Sequence, residues 1–93
     1  MSIRFTIPEF DALRAVVQAG VDGVPVRRAE RIEQAVMSAT EDGETMVLDL
    51  DEGAMQEIRD AFLAGEPAFV DAETLEAVAE RLDVSLPRIG MSP

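Results

Sequence analysis

Apolar positions recur along the chain with two different periods, and the periods alternate. Ile3, Phe5 and Ile7 alternate with Arg4 and Thr6, the period of a strand with one buried face. Pro8 follows at a place where a helix tolerates a missing N–H, and Glu9 and Asp11 suit the positive end of the helix dipole. Phe10, Leu13, Val16 and Val17 then fall at helical spacing, and Gly20 reads as the residue just past the helix end. Residues 21–26, with Gly23 and Pro25, read as a connection. Residues 27–39 are predicted as a second helix with Ala29, Ile32, Ala35 and Val36 as its apolar stripe.

The same order then repeats. Residues 41–45 form an acidic loop, and Met46, Leu48 and Leu50 alternate with Val47 and Asp49 as a second strand. Asp51 is an N-cap for a third helix, with Met55, Ile58, Ala61 and Phe62 as its stripe and Gly65 at its end. Asp71 is another N-cap, with Val70 and Leu75 placed to form a hydrophobic staple. Leu75, Val78, Ala79 and Leu82 make the fourth stripe. Beyond Asp83 the periodicity stops; Val84, Leu86 and Ile89 can pack locally, and residues 87–93 are expected to be a loose tail.

Ninety-three residues suffice for one compact domain and not for two. The expected fold is a small single α/β (α+β) domain over residues 1–93. It has two strand-helix-helix halves, residues 3–39 and 46–83, and a short central antiparallel sheet covered by about four helices. The halves read as an internal repeat: the strands and the second helices match at an offset of 43, and Gly20 matches Gly65 at 45. Antiparallel pairing with Phe5 opposite Leu48 sets Arg4 opposite Asp49, a favourable cross-strand pair. Two strands alone are marginal. Residues 24–26 and 68–70 are therefore candidate extra strands, and a homodimer completing a larger sheet is the other solution.

Charge changes the picture more than composition does. The formal net charge is -11, with 47% apolar residues and no Lys, His or Cys. Residues 1–40 carry five acids and five arginines, so the whole imbalance lies in residues 41–93, with fourteen acids and three arginines. Arg27, Arg28 and Arg31 cluster on one helix and read as a solvated face rather than a phosphate site. An acidic chain opposes direct binding to nucleic acid or an anionic membrane, both of which need Lys or Arg to displace counterions. No apolar run is long enough for a membrane span. The opening MSIRFTIPEF lacks a charged stretch followed by an apolar one, so no secretory signal is expected and the cytoplasm is the expected compartment.

The available chemistry is narrow. Without His, Cys, Lys or Tyr, one chain cannot build Ser-His-Asp, Cys-His, Schiff-base or tyrosine-acid catalysis, nor a zinc site with nitrogen or sulfur ligands. Asp49, Asp51 and Glu52 could supply paired carboxylates for glycoside hydrolysis. The four phenylalanines, however, all lie on or beside core stripes, which leaves no aromatic-lined cleft, and acids at a helix start serve as caps. Calcium fits poorly: counting from Asp49, Gly53 falls at loop position 5 rather than 6, and Asp60 replaces the Glu of position 12. No phosphate loop is present. No enzymatic activity, cofactor or metal is therefore expected. Of the methionines, Met46 and Met55 fit the core, and Met37 is the one placed for an adaptable contact surface.

What folding leaves unexplained is the acidic half. The expected function is a non-enzymatic binding module whose acids cover a basic, nucleic-acid-binding surface of a protein partner. A phage or mobile-element inhibitor that imitates nucleic acid, such as an anti-CRISPR, has this size and charge. Glu41, Asp42, Glu44, Glu57 and Asp60 are the expected contacts, because loop and outer-helix positions have no capping duty. The alternative is a homo-oligomeric assembly module whose acidity serves solubility.

Overall fold

A computed structural model describes residues 2–65 and 70–84 of the chain. It shows a small α/β domain with a central three-stranded antiparallel sheet and four helices. The elements are β1 (Ser2–Thr6), α1 (Ile7–Gly20), α2 (Val26–Met37), β2 (Thr40–Asp42), β3 (Thr45–Asp49), α3 (Glu52–Ala64) and α4 (Ala72–Leu82). The sheet order is β1-β3-β2. Ile3, Phe5 and Leu48 point into the core, whereas Ser2, Arg4, Thr6, Thr40, Asp42 and Asp49 are exposed. The helices thus cover one face of the sheet and leave the other to solvent, as the alternating pattern requires.

Each helix begins for a local reason. Thr6 and Glu9 form a reciprocal capping box: the Thr6 hydroxyl accepts from the Glu9 N–H at 3.3 Å, and Glu9 Oε1 accepts from the Thr6 N–H at 2.8 Å. Asp51 and Asp71 cap α3 and α4, accepting from the N–H groups of Ala54 at 2.8 Å and Thr74 at 3.1 Å. Ile7 belongs to this first helix and is 38% exposed, not the buried end of the strand that alternation suggested, because the Thr6 cap turns the chain one residue earlier. The predicted stripes otherwise hold: Phe10, Leu13, Val16 and Val17 on α1, Ile32 and Val36 on α2, Met55, Ile58, Ala61 and Phe62 on α3, and Val78, Ala79 and Leu82 on α4 are all buried. The Phe5 and Phe10 rings meet tilted, 6.3 Å between centroids, joining sheet to helix.

Three expectations are corrected. The third strand among the described residues is β2, inside the segment read as a loop, whereas 24–26 makes a turn and the start of α2; Ala68 and Phe69 of the other candidate segment lie outside the described residues. A two-residue turn at Gly43-Glu44, with Gly43 at φ 65, joins β2 to β3. The register is shifted by two: Ile3 lies opposite Leu48 and Arg4 opposite Val47, so Arg4 does not face Asp49. Gly20 is the last residue of α1 rather than a cap beyond it, and Val21 is the cap. Its lack of a side chain serves packing, because the last turns of α1 and α3 meet in close contact, Gly20 on the Ala61 carbonyl and Gly65 on the Val16 carbonyl. The proposed tail, residues 87–93, lies outside the described residues.

Candidate functional site

The five expected contacts fall on two elements. Glu41, Asp42 and Glu44 share the β2–β3 hairpin and are exposed, while Glu57 and Asp60 lie on α3. Within the hairpin, Asp42 is engaged: Arg4 Nη1 donates to its Oδ2 at 2.9 Å and to Thr45 Oγ1 at 2.8 Å. Glu41 and Glu44 make no side-chain hydrogen bond or ion pair among the described residues. On α3, Asp60 is exposed and accepts from Gln56 Nε2 at 3.1 Å.

Glu57 departs from expectation. It is half-buried, with its side chain 26% exposed, and Arg31 forks onto it, Nε to Oε2 at 3.1 Å and Nη2 to Oε1 at 3.0 Å. That two-pronged pair fastens α2 to α3, so Glu57 is a structural tie rather than a free contact. The cluster of arginines is correspondingly divided: Arg31 is engaged, and Arg27 and Arg28 are exposed.

The carboxylates considered for catalysis or calcium have structural duties or lie apart. Asp51 caps α3, Glu52 pairs with Arg59 at 3.1 Å, and Asp49 is exposed at the end of β3. Among the described residues no three carboxylates gather so as to hold a metal ion. No helix among them is long and apolar enough to cross a membrane.

Arg59 is the one charged residue buried among the described residues, 9% exposed. Its Nε donates to the Leu82 carbonyl at 2.7 Å, and its Nη1 reaches Glu52 at 3.1 Å and Gln56 at 3.4 Å. The guanidinium therefore satisfies a terminal carbonyl of α4 from α3. Glu52, Gln56 and Arg59 at helical spacing were the available sequence signal.

The mixed surface also includes an apolar part. Val26 is 72% exposed and Met37 66%, at the two ends of α2. Met37 borders a shallow groove of about 160 Å³ between α1 and α2, lined also by Arg14, Val17, Gln18, Glu33 and Val36. Gln18 donates to Glu33 across it at 3.1 Å.

Glu9 couples two helices. Besides capping α1 it accepts from Arg81 Nε of α4 at 2.7 Å. Burial alone would raise its pKa, but the Thr6 N–H and the Arg81 guanidinium outweigh burial and hold it below the ordinary 4.5. A depressed carboxylate contributes stability above its unfolded pKa and loses it as pH falls through the folded one. Melting temperature should accordingly drop below about pH 4.5, and Glu9→Gln, which keeps a capping amide but loses the charge pair, should show a shallower drop between pH 5 and 3. Equal slopes for the two proteins would remove Glu9 from the acid response.

No protein-family model matches the chain, and neither a curated protein nor a solved structure shows significant similarity to it.

Proposed function

We propose that the domain is a non-enzymatic binding module whose acidic surface covers a basic, nucleic-acid-binding surface of a protein partner. A phage or mobile-element inhibitor acting as a nucleic-acid mimic in the bacterial cytoplasm is the form this takes. The observation that carries the reading is how the charges are shared out. Arg4, Arg31, Arg59 and Arg81 are each held by a carboxylate. Arg14, Arg27 and Arg28, with no ion pair among the described residues, all lie on α1 and α2. The hairpin and the outer faces of α3 and α4 are left with exposed Glu41, Glu44, Asp60, Glu73 and Glu80 and no free arginine among the described residues to offset them. Such a one-signed field accelerates encounter with a cationic partner and disfavours anionic ones.

Affinity capture from a nuclease-treated bacterial lysate, washed at low and then high salt, tests this. A basic nucleic-acid-binding protein should be retained at low salt and released at high salt. The variant Glu41→Gln/Glu44→Gln/Asp60→Asn should keep its melting temperature, since none of the three side chains holds the fold. It should bind that protein about tenfold or more weakly. An unchanged affinity would remove the acidic surface from recognition. The exposed Val26 and Met37 favour a second reading, self-assembly through α2. Recovery of the protein alone, with loss of association on Met37→Gln, would establish that reading in place of the first.

A further inference from the structure

We propose that Asp22 is a site of spontaneous main-chain modification. With Gly23 it closes a succinimide and reopens as isoaspartate, which makes the α1–α2 connection a substrate for an isoaspartate carboxyl methyltransferase. The chain has no asparagine, so this chemistry falls to its aspartates, and only Asp22 and Asp42 are followed by glycine. A glycine in the next position leaves its amide nitrogen unshielded by a Cβ and frees the main chain to reach the geometry of ring closure.

The reaction balances without an outside reagent. The Gly23 nitrogen attacks Cγ of the Asp22 carboxyl in its protonated form. An N–Cγ bond forms, the amide proton and the carboxyl hydroxyl leave as water, and a cyclic imide results. Water then adds back at either imide carbonyl. Opening at the former main-chain carbonyl routes the chain through the side-chain carbon, lengthening it by one atom and leaving the charge unchanged.

The structure separates the two candidates. Asp42 is held: Arg4 Nη1 donates to its Oδ2 at 2.9 Å, the Thr45 hydroxyl donates to its carbonyl at 2.7 Å, and it pairs with Thr45 in the β2–β3 ladder. Bringing its carboxyl onto the Gly43 nitrogen means breaking the ion pair and opening the end of the hairpin. Asp22 is exposed, and its carboxylate makes no hydrogen bond or ion pair among the described residues. It lies in a turn over residues 21–24 closed by the Val24 N–H on the Val21 carbonyl at 3.2 Å. A Cβ added to Gly23 would meet nothing within 4 Å, so the space around the reacting residue is open. The same turn is anchored on both sides, Val21 being 5% exposed and Val24 packed on the core. A main chain lengthened between those anchors cannot keep both of them and the turn bond, so α2 sits less firmly on α1.

Ageing the full chain at mildly acidic pH and physiological temperature tests this. The readout is methyl transfer from S-adenosylmethionine by a purified isoaspartate methyltransferase, with peptide mapping to place the product. A synthetic peptide of residues 18–28 serves as the unstructured clock. Isoaspartate should accumulate at Asp22 within about tenfold of the peptide rate, and at Asp42 at least about tenfold more slowly than at Asp22. Asp22→Glu requires a larger, slower-forming ring, and Gly23→Ala shields the nitrogen without a clash; each should remove most of the methyl acceptance. The methyl-accepting fraction should melt below the fresh protein. Undiminished methyl acceptance in Gly23→Ala, as much isoaspartate at Asp42 as at Asp22, or no conversion while the peptide converts would each overturn the proposal. So would an aged fraction that melts with the fresh protein.

Discussion

Gly20→Ala and Gly65→Ala are each expected to remove about 3 kcal/mol or more of folding stability, at or beyond the upper end for overpacked sites. A Cβ at Gly20 would overlap the Ala61 carbonyl, reaching 2.7 Å from its carbon, and one at Gly65 would come within 2.9 Å of the Val16 carbonyl carbon and of Val16 Cγ1. Both obstacles include main chain inside a helix, which cannot turn aside as a side-chain end can. α1 and α3 would have to separate where their last turns meet, and the packing of the layer they form over the sheet would be lost there. A domain of this size holds about 5–15 kcal/mol in all, and each 1 kcal/mol shifts melting by about 4–8 °C. A drop of at least ~12 °C by thermal denaturation is therefore the expected reading, and Gly20→Ala/Gly65→Ala should not fold cooperatively. Gly23, with nothing within 4 Å of its added Cβ, supplies the control: Gly23→Ala should move stability by less than about 1 kcal/mol. Losses under about 1 kcal/mol at Gly20 and Gly65 would mean that the helices are not in backbone contact.

Arg59→Met should cost about 2–3 kcal/mol, the second largest effect. Methionine retains an apolar stem of similar reach, so the change isolates the guanidinium. What is lost is the donor to the Leu82 carbonyl, a charge-assisted bond at a buried helix end, and such an acceptor left without its partner carries the full desolvation penalty. The ion pair with Glu52 matters much less, because the Glu52 side chain is 74% exposed. Glu52→Gln should therefore cost no more than about 0.5 kcal/mol, and Arg59→Lys, which lacks the planar fork, should fall closer to Arg59→Met. Chemical denaturation of the three variants separates the explanations. If Glu52→Gln were as damaging as Arg59→Met, the ion pair rather than the helix end would be the source of stability.

Much of this architecture is legible along the chain, and the misreadings share a cause. The four helix stripes follow from residues three and four apart, and the Asp51 and Asp71 caps from a carboxylate just ahead of each run. Thr6 and Glu9, at the spacing of a capping box, could have placed the start of α1 one residue before Pro8. β2 was hidden because Thr40, Glu41 and Asp42 are all polar and all exposed, so hydrophobic alternation has nothing to report. Gly43, the first residue of the two-residue turn, was its one local signal. The candidate contacts were legible only as charge. Their separation into free Glu41 and Glu44, engaged Asp42 and half-buried Glu57 depended on where Arg4 and Arg31 arrive, from 38 and 26 residues away along the chain.

Periodicity is a property of each segment by itself, so the sequence alone determined the four helices, the two apolar strands β1 and β3, and which face each of these buries. It also determined that the excess acid lies in residues 41–93. Only the tertiary structure decided what lies across each contact. A two-residue slip between β1 and β3 leaves the same side chains on the same faces, so burial could not distinguish Phe5 opposite Leu48 from Ile3 opposite Leu48. Gly20 ends a helix in either account, yet its reason is the Ala61 backbone, which comes close only once α1 and α3 are packed. Arg59 meets its buried acceptor, the Leu82 carbonyl, only once the end of α4 is brought beside it. In each case the deciding energy is a contact between segments distant in sequence, and no pattern within either segment records its partner.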